Sequence, residues 1–323
     1  MRRRNFMTVL ASAAAYPLLA GAQQKPMPVV SYLGVLPPGA LAPQMAAFRA
    51  GLSETGYVDG QNVMVEHHWE GSYDRVPALA AELVRRKVDL IATGNLPGVL
   101  AAKSATSTIP IVFVSADPLG EGLVASLARP GGNLTGTSLM NTELTAKRLE
   151  LLSELVPEAS AIWLLVNPNN ASTERIISKA QEAARVKGVQ LSILKAGTEG
   201  EIDAAFDALV QRQASALLVG NDSFFYGRRE QFVALGSRHA TPAIYPWREA
   251  AAAGGLISYG TNIPAAYRQA GIYAGRILKG ENPVDLPVQQ AATFELVVNL
   301  KTAKALGLTV PPSILARADE VIE

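Results

Sequence analysis

Short polar side chains recur in this chain immediately after runs of apolar residues. Thr93 and Asn95 close one such run, and Ser115 and Asp117 follow the run 111–114. Asn167, Asn170, Ser172 and Thr173 follow 161–166, and Asn221 and Asp222 follow 216–219. Hydroxyl, amide and carboxylate groups of this size suit hydrogen bonding of a small polar ligand. The same residue types are common turn formers and helix N-caps, which accounts for any one of them taken singly. As a set they recur at equivalent positions in both halves, and that recurrence favours a shared site. Asp117 and Asp222 stand one in each half, where an ionised carboxylate could hold an ammonium. Trp247 lies in a further loop, and Phe224, Phe225, Tyr226, Tyr245 and Tyr259 add rings able to sandwich a flat apolar group.

Patterns that would carry catalysis or a cofactor are missing. No Gly-x-Gly-x-x-Gly follows the first apolar run, no phosphate loop ends in Gly-Lys-Ser/Thr, and no Gly-x-Ser-x-Gly elbow occurs. His67 and His68 are neighbours in an extended segment and point to opposite faces, and His239 is far away, so metal-ligand spacing is lacking. The chain has no cysteine, which removes disulfides, thiolate metal sites, thiol nucleophiles and lipid attachment at an N-terminal cysteine. No catalytic residue, cofactor or metal is expected. Spacing along the chain does not decide whether two acids meet in space, so a carboxylate-pair hydrolase stays open as an alternative.

The elements that must position these residues alternate between short apolar runs and longer amphipathic stretches, the pattern of βαβ units around parallel sheets. Strands are predicted over 29–36, 63–69, 90–93 and 111–114, with helices over 43–55 and 76–87. The chain turns sharply at 129–133. A second set follows: strands 161–166, 189–194, 216–219 and 243–245, and helices 143–156, 173–187, 202–212 and 228–239. The helix 265–279 and the strand 294–298 come after both sets and must return to complete them, giving several chain crossings. In open α/β sheets ligands bind at the carboxyl ends of strands, which is where the polar residues above fall.

The bulk properties agree with a two-lobed globular protein. The chain has 323 residues, 49% hydrophobic and 18% charged, enough for two cores and unlike a disordered chain. The net charge of +1 includes Arg2, Arg3 and Arg4; without them the balance is slightly acidic, which argues against nucleic acid as a partner. Those arginines precede an apolar run from Phe6 to Leu19 and the small residues Ala20-Gly21-Ala22. Residues 1–22 therefore read as a secretory signal, twin-arginine-like in Arg3-Arg4-Asn5-Phe6. No later apolar run approaches the ~20 residues of a membrane span, so the mature chain is expected free in the periplasm, with no membrane insertion.

Several stretches carry a family resemblance. They are 47–52 (Ala-Phe-Arg-Ala-Gly-Leu), Gly56-Tyr57-Val58-Asp59-Gly60-Gln61-Asn62, Pro110-Ile111-Val112-Phe113-Val114, and Leu127-Ala128-Arg129-Pro130-Gly131-Gly132-Asn133-Leu134-Thr135-Gly136. To these add Ala146-Lys147-Arg148-Leu149-Glu150-Leu151-Leu152, Val166-Asn167-Pro168-Asn169, Ser258-Tyr259-Gly260-Thr261 and Arg268-Gln269-Ala270-Gly271. Over essentially its whole length the chain resembles the substrate-binding proteins of ABC transporters, in the family that includes binders of tryptophan and other aromatic amino acids. The resemblance implies an α/β, two-lobed type I periplasmic-binding-protein fold, each lobe a parallel-sheet αβα sandwich, joined by a multi-crossover hinge. Lobe one would comprise 23–139 and about 263–288, and lobe two 140–262 and about 289–323. Thr93, Ser115 and Asp117 would face Asn167, Ser172, Thr173, Asn221 and Asp222 across a cleft, with Asn95, Asn170 and Trp247 completing it. Hydroxyls and helix N–H groups would take a ligand carboxylate, and Asp222, with Asp117 second, the ammonium. The implied role is capture of an amino acid or other small carboxylate for an inner-membrane ABC permease, by a monomer that closes on its ligand. The chain departs from those binders at Pro37-Pro38-Gly39, which offers few polar side chains, and at Asn95, a bulkier amide than usual. A periplasmic sensor feeding a membrane signalling receptor is the alternative.

Overall fold

The computed structural model describes residues 27–159 and 161–323; the expected signal segment 1–22 lies outside the described residues. Among the described residues thirteen strands form two sheets. In chain order they are β1 (Val29–Gly34), β2 (Met64–Trp69), β3 (Leu90–Thr93), β4 (Ile111–Ser115), β5 (Leu134–Ser138), β6 (Ala161–Val166), β7 (Gln190–Lys195), β8 (Ala216–Val219), β9 (Ala243–Tyr245), β10 (Ile257–Thr261), β11 (Gln289–Gln290), β12 (Phe294–Asn299) and β13 (Glu320–Ile322). The first sheet has the order β11-β5-β4-β3-β1-β2 and is parallel throughout. The second has the order β13-β12-β10-β9-β8-β6-β7 and is parallel except between β10 and β12. That antiparallel pair was not expected: β12 arrives from the other sheet and enters beside β10 from the opposite end.

Central strands such as β3, β4 and β8 are buried along their whole length, so they read as unbroken apolar runs rather than as alternating ones. Helices cover the faces. One of them, Thr173–Lys187, has a charged outer face and ends at Gly188 in the left-handed conformation (φ 70°). Besides the short edge strands β11 and β13, two strands escaped the sequence reading, β5 (Leu-Thr-Gly-Thr-Ser) and β10 (Ile-Ser-Tyr-Gly-Thr). Each carries an internal glycine that weakens the pattern. A side chain at Gly136 would collide with the carbonyl oxygen of Phe113, and one at Gly260 with that of Pro246, so the neighbouring backbone leaves room for nothing larger.

These two strands lead into the crossings. The chain passes between sheets three times: at 139–143 after β5, at Asn262 after β10, and at 291–293 after β11. The long helix Ile263–Leu278 thereby packs on Ala42–Glu54 under the first sheet, and the carbonyl of Phe48 approaches Gly271 too closely for a Cβ. Gln289–Gln290 also edges the first sheet, slightly beyond the boundary expected near 288. The crossings are stitched to one another. The Thr261 hydroxyl donates to the Leu139 carbonyl, Ala291 N–H to Ser138 O (2.8 Å), and Asn262 Nδ2 to Glu295 (2.6 Å). Among the described residues no helix is long and apolar enough to cross a membrane.

Candidate ligand-binding site

The carboxyl ends of the strands in both sheets converge on one cavity of about 830 Å³, a volume that includes space open to solvent at its mouth. Pockets of this size are typical of small-molecule sites. From the first sheet come Tyr32 of β1, Gly94 to Pro97 after β3, and Val114, Ser115, Ala116 and Glu121 at and after β4. The segment after β1 adds Val35, Leu36, Leu41 and Gln44, and Tyr73 enters from the loop after β2. The second sheet contributes Asn170 and Ser172 after β6, Asn221, Asp222, Ser223 and Tyr226 after β8, and Trp247 after β9. The crossings supply Leu139, Asn141, Ile263 and Tyr267. Trp247 packs edge-on to Tyr226, with ring centres 5.5 Å apart.

Seven of the expected residues line this cavity: Asn95, Ser115, Asn170, Ser172, Asn221, Asp222 and Trp247. Four others stand behind it, each for a local reason. Thr93 is buried, and its hydroxyl lies against Gly98 at the start of the next helix. Asn167 donates to Asp222 (3.1 Å) and accepts from Asn169 N–H (2.9 Å). The Thr173 hydroxyl donates to the Asn167 carbonyl. Asp117 accepts from Gly120 N–H (3.0 Å) and pairs across the cleft with Arg175 of the second lobe (3.4 Å). Tyr32, Gln44, Tyr73, Glu121, Asn141 and Tyr267 line the cavity without having been singled out in the sequence, because nothing local marks a tyrosine, glutamine or lone glutamate as facing a site.

Asp222 is only 4% exposed and is the most heavily bonded group in the site. Its Oδ1 accepts from Asn167 Nδ2 (3.1 Å) and Phe225 N–H (3.1 Å); its Oδ2 accepts from Asn170 Nδ2 (3.0 Å) and the Tyr73 hydroxyl (2.9 Å). A carboxylate has about four acceptor positions, and all are filled by the protein. Burial pushes the Asp222 carboxyl above its ordinary range, while these four donors pull the other way. Burial and the adjacent Asp222 charge push the Tyr73 phenol well up, so it stays a donor. Its oxygen also accepts from Phe224 N–H (3.1 Å), tying the first lobe to the second. Glu121 is the second acid on the wall, with a side chain 2% exposed and its carboxyl also raised by burial. It accepts from the Ser115 hydroxyl in its own lobe and from Ser172 across the cleft (3.2 Å), with the Arg175 guanidinium 3.9 Å from its Oε1, which leaves about two hydrogen-bond acceptor positions open.

The donors expected to meet a ligand carboxylate are largely engaged. Gly98 N–H goes to Asn95, Ser172 N–H to Asn170, and Phe224 and Phe225 N–H to Tyr73 and Asp222. The Ser115 and Ser172 hydroxyls serve Glu121. On the wall, Asn141 Nδ2 and Gln44 Oε1 are buried without a partner. Behind Asn141 lies Arg148, 1% exposed, its guanidinium pushed down to about 9 by burial and still charged at neutral pH.

Comparison with known proteins agrees with this architecture. Residues 35–322 match the family model described as ABC transporter substrate binding protein. A tyrosine-binding protein of Clostridioides difficile (strain R20291) is 27% identical over 263 residues, 81% of this chain and 75% of that one. A solved ABC domain in complex with L-Trp from Streptococcus pneumoniae superposes with a TM-score of 0.84 at 26% identity, covering 91% of this chain and 99% of that one. The ligand-free, open structure of a substrate-binding protein with adhesive properties from Clostridium difficile, at 24% identity and the same coverage, gives a TM-score of 0.64. With the two parallel-sheet α/β lobes of a type I periplasmic-binding-protein fold and a cavity built from both, this chain is a substrate-binding protein rather than an enzyme, and it belongs to the ABC transporter substrate binding protein family.

Proposed function

We propose that the protein is the periplasmic solute-binding component of an ABC import system and takes an amino acid with an aromatic side chain into the interlobe cavity. The observation that carries this reading is the composition of the wall. Two carboxylates and several amides stand beside Tyr32, Tyr73, Tyr226, Trp247 and Tyr267, so charged and flat apolar surfaces face one cavity. The names of the two relatives reported to bind tyrosine and L-Trp point the same way. Glu121 takes the ammonium, since it has open acceptor positions; Asp222 holds the loops of the second lobe and, through Tyr73, the closed arrangement.

In this reading each sheet with its helices is one lobe, and the lobes rotate about the three crossings. The bonds Tyr73–Asp222, Ser172–Glu121 and Arg175–Asp117 form only on closure. The chain matches the Trp-bound relative better than the open one, in keeping with a closed arrangement here. Ligand drives closure through its higher affinity for the closed form. Residues 1–22 direct export, and a monomer delivers ligand to the permease. The test is a thermal-shift screen of residues 23–323 against amino acids, small carboxylates and sugars. Ligand at about 100 times its Kd adds about 2.7 kcal/mol of stability. A rise in Tm with aromatic amino acids is expected; a rise only with sugars or non-amino carboxylates would overturn the ligand reading.

A further inference from the structure

Arg148 is a buried charge without a counter-ion. Its donors go to three neutral oxygens: Nε to the Tyr259 carbonyl (2.7 Å), one terminal nitrogen to the Asn141 carbonyl (3.0 Å), and the other to Asn141 Oδ1 (2.6 Å). Among the described residues no carboxylate forms an ion pair with it. Such a charge is costly to bury, and carbonyl dipoles offset the cost only in part. The bond to Oδ1 also fixes the orientation of the Asn141 amide, so Nδ2 is the end left free. Asn141 is 0% exposed, lines the cavity, and has no partner for that nitrogen. Its amide is polarised by the guanidinium behind it, which strengthens Nδ2 as a donor.

No lysine, arginine or histidine lines the cavity among the described residues, and the N–H groups of Gly98, Ser172, Phe224 and Phe225 and the hydroxyls of Ser115 and Ser172 are engaged as described above. We infer that Asn141, with Arg148 behind it, is the subsite for the carboxylate of the ligand. This assignment rests on the proposed amino-acid reading and deepens it: Glu121 receives the ammonium, and the ligand's own anion supplies the counter-charge that Arg148 lacks. Arg148 is a positioning residue here, acting through Asn141. Because Asn141 lies on the crossing 139–143, the ligand carboxylate would be bound at the hinge itself.

The experiment compares L-tyrosine and L-tryptophan with their decarboxylated forms, tyramine and tryptamine, by calorimetric titration of the wild type and of Asn141→Asp. The new carboxylate would pair with Arg148, so the variant should fold with a urea midpoint no lower than wild type. The wild type is expected to bind an amino acid at least tenfold more tightly than its amine. In Asn141→Asp the amino-acid affinity should fall at least tenfold while the amine affinity stays within threefold or rises. A folded variant that keeps both the amino-acid affinity and the acid-over-amine preference would overturn the subsite and leave the amino-acid reading standing. Should the variant not fold, the wild type alone decides: equal affinity for acid and amine overturns the subsite. If the wild type binds none of the four probes, the aromatic amino-acid reading fails and the subsite falls with it.

Discussion

Replacing Tyr73 by Phe removes one oxygen and leaves the ring in place. In the closed form that hydroxyl donates to Asp222 Oδ2 at 2.9 Å and accepts from Phe224 N–H at 3.1 Å, so the variant leaves a buried carboxylate oxygen with Asn170 Nδ2 as its one remaining donor and a backbone N–H without its partner. A hydrogen bond to a charged group contributes about 1.5–3 kcal/mol and a neutral one about 0.5–1.5. Part of this returns if a water enters the gap, and about 2 kcal/mol is a reasonable net loss. In an open form water already serves both groups, so the loss falls on closure alone. The variant should therefore raise the Kd of the tightest-binding ligand about 30-fold, since 1.4 kcal/mol is a factor of ten. The urea midpoint of the ligand-free protein should scarcely change. Titration calorimetry and a urea melt read the two quantities separately. An affinity within threefold of wild type would refute the idea that Tyr73 latches the lobes, and an equal loss in ligand-free stability would show that the bond belongs to the fold instead.

Asp222→Ala strips the acceptor from Asn167, Asn170 and Phe225 N–H within one lobe, and should lower unfolding stability by about 3–5 kcal/mol in urea, at about 1–3 for each buried donor left unpaired; a loss below about 1 would contradict the bonding described here. Glu121→Gln keeps the size of the side chain but loses its charge, and should weaken binding of an amine-bearing ligand about 10- to 100-fold by calorimetry. Burial holds the Glu121 carboxyl above its ordinary value in the closed, ligand-free form, so this group favours closure below the ordinary value and the contribution is lost as pH rises through the raised one. A ligand ammonium reverses that preference. Binding should release a proton, and affinity should fall as pH drops through the raised value, seen as a buffer-dependent heat in the acidic range; a buffer-independent heat would count against Glu121 as the ammonium site. Gly271→Ala places a methyl against the Phe48 carbonyl and should cost about 2 kcal/mol through forced separation of two helices, read from the same urea melts.

Much of the architecture could be read from the chain because burial is written locally. Strands covered on both faces, such as β4 and β8, are continuous apolar runs, and the helices between them carry amphipathic patterns. The polar residues at strand ends were legible for the same reason, since they follow those runs. Asn95 and Asp222 cap helices in the structure as well as lining the cavity, so the capping and ligand readings of these residues are not alternatives. Strands β5 and β10 were hidden because a glycine imposed by neighbouring backbone looks, in sequence, like a turn.

The sequence by itself determined the α/β class, the two sets of strands, the return of a late helix and strand, and the loops from which a site would be built. All of these depend on which residues avoid water, a property each segment carries alone. The tertiary structure decided which groups within those loops face the cavity. Asp117 turns toward Arg175 and the nearby Glu121 turns inward; Tyr73, distant in sequence, meets Asp222; and Arg148, quoted above only as part of a family motif, lies buried behind Asn141. Those choices depend on which donors and charges from separate segments remain unpaired once the chain is folded, and local sequence holds no record of that balance.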